Sequence, residues 1–437
     1  MQRHNNFWLS IICSLKRASA LFLFGVTFAT YNLYINHTFM KQLLLKICLL
    51  TVLLNTTFLF AQKDFTMNKG GTTQKKYFTT IPYKDVKTKV IVQCHINGRP
   101  YSFIVDTGAA TTITPRLYKE LNPQVINHIP VSDQSGKIDS LKIVSLNSVQ
   151  LGDVNFNDIP AMVVKEAQLF DCYKVDGLIG SNMLRNSVVQ FASQTHVLTI
   201  TDKPMLLNLK GKYASKMLTD KVQSNPVIKI EVLNGEMHLT DNLLFDSGMA
   251  SFYDLSYKGF KEVLATVNLL TVEAKAVGSY SFGLHGISDD EESYRLFAPE
   301  LKINGYTFKN VTTITTHGST SRIGAELFKY GTVTLDYINN KFYFEPFVNE
   351  AKDLTEKSWP FIPTAKDGKI VVGLVWDTEW EGKINQGDHI ISFNGKNYDN
   401  VDVCEAMVAE EVSTATKATL VLKDAGTGEV KTFEVTR

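Results

Sequence analysis

Two short segments of the sequence combine an apolar run with an aspartate, a small hydroxyl residue and a glycine. The first is Phe103-Ile104-Val105-Asp106-Thr107-Gly108, and the second is Leu243-Leu244-Phe245-Asp246-Ser247-Gly248. A charge is costly at the end of a buried strand, and glycine weakens a strand from within. One explanation is that each strand simply ends in a turn, which Asp and Gly favour. The other is that each turn holds a carboxylate at the floor of a cleft.

Two carboxyl groups held side by side can perform acid–base chemistry. At a separation of about 3 Å they cannot both ionise, so they share one proton. The ionised group can activate a water molecule while the protonated group polarises a carbonyl, and amide hydrolysis without a metal needs both functions. We therefore expect Asp106 and Asp246 to form a catalytic pair, with roles that are interchangeable until a substrate breaks the symmetry.

The residues after each aspartate suit such a pair. Thr107 and Ser247 are small hydroxyl residues that can hydrogen-bond between the two segments. Gly108 and Gly248 allow two loops to approach closely where a Cβ atom would clash. These four residues are therefore predicted to support the pair.

The two segments occupy equivalent positions in an internal duplication. Each follows an Asn-Gly hairpin turn, Asn97-Gly98 in the first half and Asn234-Gly235 in the second. Each half also closes with a hydrophobic-Gly element, Ile179-Gly180 or Ile323-Gly324, followed by two strands rich in β-branched residues. Two copies of one motif in register within a repeat are not expected by chance.

Over about residues 85–347, these motifs resemble the retropepsin/pepsin-like (clan AA) aspartic peptidases. The resemblance implies a two-lobed acid-protease double β-barrel, with lobes at 85–205 and 220–347 and the hydrophobic-Gly elements packed behind the catalytic loops. The second half departs from the family pattern at Met249, where Ala is usual, and at Arg322. Because both aspartates are in one chain, a monomer is expected to be active.

The resemblance also implies a flap, a hairpin that covers the cleft. The first candidate is the tip of the 131–139 hairpin, Gln134, Ser135 and Gly136, and a weaker one is the Gly-rich segment 277–286. Glycine, serine and aromatic residues suit a mobile lid that excludes water. An ordinary exposed hairpin explains the second segment equally well.

The C-terminal segment 357–437 follows a polar linker, 348–356, and resembles a PDZ domain. The resemblance rests on Gly387-Asp388-His389-Ile390-Ile391-Ser392-Phe393-Asn394-Gly395 and on the closing strands around Gly426-Thr427-Gly428. It implies peptide binding by strand addition, with a carboxylate-binding loop at Trp359-Pro360-Phe361-Ile362. That loop lacks the family's glycine pattern, and Pro360 removes one backbone donor.

The N-terminal residues have the composition of targeting segments. Residues 40–61 have a basic start, an apolar run and a small residue, Ala61, and we interpret them as a signal peptide. Residues 1–39 then represent a mis-assigned upstream extension, and 62–84 an N-terminal extension of the mature chain. Export to the periplasm, the cell envelope or the medium is expected. A two-span membrane anchor is the alternative.

Composition excludes several other classes of protein. The formal net charge is +1, without the basic face that nucleic-acid binding requires. No metal-binding or cofactor motif occurs, so neither a metal nor a cofactor is expected.

Three widely spaced cysteines follow the leader, Cys94, Cys172 and Cys404. Their odd number does not indicate a disulfide framework, and small buried apolar side chains are expected.

The sequence therefore predicts a mainly β chain with two duplicated lobes and a small PDZ-like α+β domain. The expected activity is that of an exported aspartic endopeptidase acting on polypeptides, whose PDZ module binds peptide or substrate. One alternative is a non-catalytic peptide-binding protein that retains the bilobal fold. Another is a homodimer of first lobes in which only Asp106 is catalytic.

Overall fold

The computed structural model describes most of the chain after the leader, namely residues 46, 65–132, 137–264, 268–280, 282–283, 286–355, 357–409 and 415–437. The chain divides into two compact units, Met1–Asp64 and Phe65–Arg437. The predicted extension 1–39 and signal peptide 40–61 lie outside the described residues, residue 46 excepted. Among the described helices, none is long and apolar enough to cross a membrane.

Phe65–Arg437 is mainly β, and its two lobes are duplicated halves followed by a small α+β domain, as predicted. Several strands of the first lobe alternate buried and exposed residues, as in β2, where Val90, Val92, Cys94 and Ile96 face the core. In chain order these strands are β1 (Phe78–Val86), β2 (Lys89–Ile96), β3 (Arg99–Asp106), β4 (Thr112–Ile113), β5 (Val125–Ser132), β6 (Ile138–Leu146), β7 (Val149–Leu151), β8 (Val154–Phe156), β9 (Ile159–Val163), β10 (Gly177–Gly180), β11 (Val188–Ala192) and β12 (Val197–Thr201).

The second lobe repeats this order of hairpins and crossing strands. Its strands are β13 (Ser215–Thr219), β14 (Pro226–Asn234), β15 (Met237–Asp246), β16 (Tyr253–Ser256), β17 (Thr271–Gly278), β18 (Phe282–Gly283), β19 (Gly286–Ile287), β20 (Glu291–Ile303), β21 (Tyr306–Thr316), β22 (Arg322–Gly324), β23 (Gly331–Asp336), β24 (Lys341–Pro346) and β25 (Lys352–Asp353). The last of these lies within the predicted linker and pairs with β21.

Pairing registers show the duplication directly. The Asn-Gly turns connect β2 to β3 and β14 to β15, as antiparallel hairpins. In both halves the strand that carries the aspartate then pairs in parallel with a short hydrophobic-Gly strand, β3 with β10 and β15 with β22. The halves are joined through an antiparallel sheet in the order β1-β12-β11-β23-β24-β13. A shared hydrophobic core underlies both halves.

Helices are short in the described part of the chain. They are α1 (Pro115–Leu121), α2 (Gln168–Tyr173), α3 (Ser181–Leu184), α4 (Tyr257–Gly259) and α5 (Val403–Val408), with a π-helical turn at Phe260–Leu264 and 3-10 turns at Pro204–Leu206, Ala325–Lys329 and Thr378–Trp380. The first helix begins where the Thr114 side chain accepts a hydrogen bond from the Leu117 amide, with Pro115 in the first turn.

The C-terminal domain has its own sheet and core. Its strands are β26 (Phe361–Lys366), β27 (Lys369–Val375), β28 (His389–Phe393), β29 (Lys396–Asn397), β30 (Lys417–Lys423) and β31 (Val430–Thr436). They are ordered β26-β27-β28-β30-β31, with β29 paired to β28. Asp388 is buried in this domain and accepts hydrogen bonds from the amides of Asn385 and Ala425, which fixes two loops.

A disulfide bond joins Cys172 on α2 to Cys404 on α5, which corrects the expectation of isolated buried cysteines. The two residues are 232 positions apart, and the fold places their Cα atoms 4.5 Å apart. Their spacing in sequence could not show this, because the bond links the first lobe to the C-terminal domain. Cys94 is free and buried, as expected.

The C-terminal domain also packs against the second lobe. The backbones of β17 and β27 lie so close that a Cβ on Gly278 would be 2.1 Å from the Gly373 carbonyl oxygen. Around this contact, Ala276 packs with Leu374 and Trp376. The domain is therefore held to both lobes, covalently to the first and by packing to the second.

Candidate active site

Both aspartates stand at the end of a strand and next to a glycine of the neighbouring parallel strand. Asp106 ends β3 and pairs with Gly180, while Asp246 ends β15 and pairs with Gly324. A Cβ on Gly180 would lie 2.3 Å from the Ala110 carbonyl carbon, which leaves no room for a side chain. The hydrophobic-Gly elements thus lie directly behind the aspartate loops.

Thr107 and Ser247 join the two loops through reciprocal hydrogen bonds. The Thr107 amide donates to Ser247 Oγ at 3.0 Å, and the Ser247 amide donates to Thr107 Oγ1 at 3.0 Å. Each hydroxyl also donates across the interface, from Thr107 to the Phe245 carbonyl at 2.7 Å and from Ser247 to the Val105 carbonyl at 2.8 Å. All four bonds are buried, so water does not compete for them.

Gly108 and Gly248 face the aspartate of the opposite lobe. A Cβ on Gly108 would lie 2.4 Å from Asp246 Cγ, and a Cβ on Gly248 would lie 2.3 Å from Asp106 Cγ. Within each loop the glycine amide donates to the aspartate Oδ1 at 2.9 Å. The two glycines therefore allow the carboxyl groups to meet at the lobe interface.

The carboxyl group of Asp106 holds its proton unusually tightly. Burial, and then the charge of Asp246, raise the pKa of Asp106 to about 7. The charge of Lys89 and the hydrogen bond from the Gly108 amide act in the opposite direction. One proton is therefore retained on the pair well above the pH at which an isolated aspartate ionises.

Arg322 contacts one of the two aspartates. Its Nη1 lies 3.3 Å from Asp246 Oδ2, and its Nη2 lies 2.8 Å from Asp254 Oδ2. The Arg322 and Asp246 side chains are 12% and 10% exposed, so water screens this contact weakly. The sequence marks Arg322 only as a departure from the family pattern, and it gives no signal for Asp254.

Lys89 reaches the site from the opposite lobe. It opens β2, directly after a turn in which Lys87 and Thr88 adopt positive φ angles. Its Nζ donates a hydrogen bond to the Gly248 carbonyl, and Thr88 Oγ1 donates to the Ala250 carbonyl at 3.1 Å. Burial lowers the pKa of Lys89, while the charges of both site aspartates oppose that shift. No sequence motif marks this residue.

The first lobe's aspartate loop receives a neutral partner in place of a cation. Asn225 Nδ2 donates to the Gly108 carbonyl at 3.0 Å, from the residue that precedes β14. Each loop therefore has a side chain bound to its glycine carbonyl, and among the described residues this partner is a lysine at the second-lobe loop and a neutral amide at the first-lobe loop.

The predicted flap tip, Gln134, Ser135 and Gly136, lies outside the described residues. The β5–β6 hairpin that leads to it is described, and Lys137, the residue directly after the tip, binds the second lobe. Lys137 Nζ donates to the Ile287 carbonyl at 2.7 Å and lies 3.0 Å from Asp289 Oδ1. In the weaker candidate segment, Tyr280 donates from its hydroxyl to the Thr315 carbonyl at 2.9 Å.

A second concave site lies in the C-terminal domain, between β26 and α5. This groove has a volume of about 280 Å³ and a mainly apolar lining, which includes Trp359, Phe361, Phe393, Ala406, Met407 and, from the second lobe, Tyr280. Of the predicted loop, Trp359 and Phe361 face the groove. The Pro360 carbonyl accepts from the Trp376 amide at 2.7 Å, and Ile362 packs against the second-lobe interface.

The described residues contain no group of three or more His, Cys, Asp or Glu side chains arranged to hold a metal ion. The site is thus built from carboxyl groups, hydroxyl groups, backbone amides and two cations.

Comparison with known proteins finds a similarity to part of the first lobe. Residues 92–183 match the family model described as aspartyl protease. No curated protein matches the sequence. Among the solved structures with a similar fold are two that cover 62% of this chain and 95% of their own. They are conglutin gamma, a basic 7S globulin from lupine seeds (12% identity, TM-score 0.38), and basic 7S globulin from soybean (10% identity, TM-score 0.36).

Proposed function

We propose that this protein is an exported aspartic endopeptidase that hydrolyses peptide bonds with a water molecule activated by Asp106 and Asp246. The single observation that supports this best is the reciprocal bonding of Thr107 and Ser247, because it fixes two aspartate loops face to face. The aspartyl protease match at residues 92–183 agrees with the proposal and includes Asp106.

The reaction requires one protonated and one ionised carboxyl group. The ionised group removes a proton from water as the water oxygen attacks the peptide carbonyl carbon. The protonated group donates its proton to the carbonyl oxygen, which stabilises the tetrahedral intermediate. The raised pKa of Asp106 supplies the proton at weakly acidic to neutral pH. No metal or cofactor is needed for these steps.

Cleavage of an unfolded protein substrate across about pH 3–8 tests this proposal. We expect a bell-shaped profile, sensitivity to a pepstatin-type inhibitor, and loss of turnover in both Asp106→Asn and Asp246→Asn. The matched control is Asp241→Asn, on the same strand as Asp246 but outside the pair. Activity that survives Asp246→Asn would instead favour a dimer of first lobes, and gel filtration of the active species would identify it.

A non-catalytic peptide-binding protein is the second candidate. The observation that favours it is the contact of Arg322 with Asp246, together with Lys89 beside the pair. If these cations kept both aspartates ionised, the site would have no acid. Retained peptide binding without turnover at any pH would support this candidate.

The C-terminal domain is proposed to act as a PDZ-like module that binds an extended peptide beside β26. Within the described sheet β26 pairs only with β27, so its other edge is available for strand addition. The apolar groove beside it suits one or two apolar side chains. Fluorescence polarisation with peptides ending in an apolar residue tests this, with Ala406→Trp filling the groove and Thr427→Trp as the exposed control.

Export is part of the same proposal. The Cys172–Cys404 bond supports it, because disulfides persist in oxidising compartments and are rare in the cytosol. Fractionation of cells followed by N-terminal sequencing of the mature protein tests it. A mature chain that begins after Ala61 is expected. A chain that retains residues 40–61 and partitions with membranes would favour an anchor.

A further inference from the structure

We propose that Arg322 assigns fixed roles within the aspartate pair, while Lys89 limits how tightly the pair holds its proton; this inference deepens and rests on the proposed function. Arg322 holds Asp246 as the ionised base, and Asp106 consequently carries the proton and acts as the acid. Both cations act through the aspartates and are therefore positioning residues. The two lobes then contribute different catalytic functions despite their duplicated fold.

The first observation is a paired substitution between the two halves. In the first lobe Leu178 of the hydrophobic-Gly strand pairs with Thr112. At the same register of the second lobe Arg322 pairs with Asp254. An apolar residue and a neutral hydroxyl residue in one half thus occupy the register positions that an ion pair occupies in the other. A single change would leave an unpaired buried charge, whereas the paired change is compatible with burial.

Asp254 fixes the guanidinium so that it faces Asp246. The Arg322 guanidinium donates a hydrogen bond to Asp254 through Nη2 and a longer one to Asp246 through Nη1. A planar guanidinium held at one end points its remaining donors in a fixed direction. Asp246 therefore has a permanent cation beside Oδ2, while its Oδ1 accepts from the Gly248 amide. No such ion pair is described at Asp106.

Lys89 provides the second cation and balances the charge of the cluster. The ionisable groups of this cluster, the pair included, come from five strands. They are Lys89 on β2, Asp106 on β3, Asp246 on β15, Asp254 on β16 and Arg322 on β22. With Lys89 and Arg322 both positively charged, a neutral cluster requires that the three carboxyl groups share one proton. Burial raises the pKa of both Asp106 and Asp254; the Lys89 charge opposes the shift at Asp106, and the Arg322 charge opposes it at Asp254. Because Arg322 pairs directly with Asp246 and Asp254, Asp106 is the preferred position of that proton.

The proton balance follows from this assignment. Asp246 takes a proton from water as the new C–O bond forms, and Asp106 gives its proton to the carbonyl oxygen. When the C–N bond breaks, Asp246 passes its proton to the leaving nitrogen. Asp106 recovers a proton from a hydroxyl of the intermediate, which restores the carbonyl. The pair ends the cycle in its starting state.

Profiles of kcat/KM against pH test the assignment. Arg322→Met should move the acidic limb to higher pH by about one to three units, because Asp246 loses the neighbouring cation. Arg322→Lys retains a positive charge, so its acidic limb should lie close to that of the wild type. Lys89→Met should move the alkaline limb to higher pH, since Lys89 opposes protonation of Asp106. Arg295→Met, a partly buried arginine paired with Glu273, is the control and should move neither limb.

A purely structural role makes a different prediction. Rates would then fall by a similar factor at every pH in Arg322→Met and Lys89→Met, with both limbs unmoved, and that result would overturn the inference. The proposed peptidase function would survive it, because the wild-type protein would still show its bell-shaped profile.

A second measurement does not depend on turnover. Carboxyl ¹³C resonances of isotopically labelled aspartate, assigned through Asp106→Asn and Asp246→Asn, report which group is ionised. On lowering the pH from about 8, Asp106 should gain its proton before Asp246, and Arg322→Met should reduce the separation. The reverse order would overturn the inference even in an inactive protein. The expected order without any turnover would retain the charge assignment and reject the peptidase function.

Discussion

Thr107 and Ser247 bind one another through both their amides and their hydroxyls across the lobe interface. Each hydroxyl accepts one bond from the facing amide and donates another to a facing carbonyl, so no polar group of this network is unsatisfied. The relative position of the two aspartates is therefore set by buried backbone and hydroxyl contacts.

Replacing Ser247 with alanine should destabilise the protein and reduce its activity. The Thr107 amide and the Val105 carbonyl would lose their buried partner, at a cost of about 1–3 kcal/mol for each unsatisfied group. Urea unfolding and the peptidase rate measure the two effects. Ser247→Thr is the control, because the first lobe already has threonine at this position. Equal stability of Ser247→Ala and the wild type would contradict the role given to this network.

Replacing Gly248 with alanine should reduce turnover about 100-fold while leaving the lobes folded. The new Cβ would meet Asp106 Cγ at 2.3 Å, so the loop or the carboxyl group must move. A displacement of about 1 Å at a catalytic group can reduce the rate about 100-fold. Gly108→Ala should have the same effect through Asp246. Gly426→Ala is the matched control, since its nearest neighbour would lie 3.5 Å away. Full activity of Gly248→Ala would exclude this close approach.

Stability should fall as the pH rises, because of Asp106. Its pKa is about 7 in the folded protein and about 4 in an unfolded chain. Between these values the folded state retains a proton that the unfolded state has released. The free energy of unfolding should therefore decrease by about 1 kcal/mol per pH unit across this range. Urea unfolding at several pH values measures the slope, and Asp106→Asn should remove it. Parallel slopes for the two proteins would show that another group is responsible.

Local sequence patterns were sufficient for the duplicated fold and for the pairing of the aspartate loops. Asn-Gly turns, alternating burial and a recurring Asp-[Ser/Thr]-Gly motif all act over short distances in the chain. These features determine β3, β15 and the loops that follow, because turn chemistry and strand period are local properties.

Other features depend on contacts between distant parts of the chain. Lys89 and Asp254 reach the site only once the lobes are assembled, and neither stands in a motif. Arg322 is visible in the sequence as an unusual residue, but its partners are not. The Cys172–Cys404 bond spans two domains, so cysteine spacing gave no indication of it. Long-range ion pairs and cross-links are therefore the part of the site that the sequence does not reveal.

The disulfide should hold one wall of the C-terminal groove in place. Cys404 lies on α5, whose residues Ala406 and Met407 line the groove, while Cys172 anchors that helix to the first lobe. The opposite wall packs on the second lobe through Ile362. Reduction of the bond therefore releases only the helix, and the groove loses its fixed width.

Cys404→Ser should reduce stability by about 2–5 kcal/mol and weaken peptide binding to the groove. Urea unfolding, peptide titration and limited proteolysis of the connecting segment 348–356 measure the effect. A reducing agent should reproduce it in the wild type and have no further effect on Cys404→Ser, which separates the loss of the bond from the change of side chain. Cys172 and Cys404 that react with an alkylating agent in the native, non-reduced protein would show that the bond is absent. In that case the packing of β17 on β27 would be the main contact holding the C-terminal domain to the lobes.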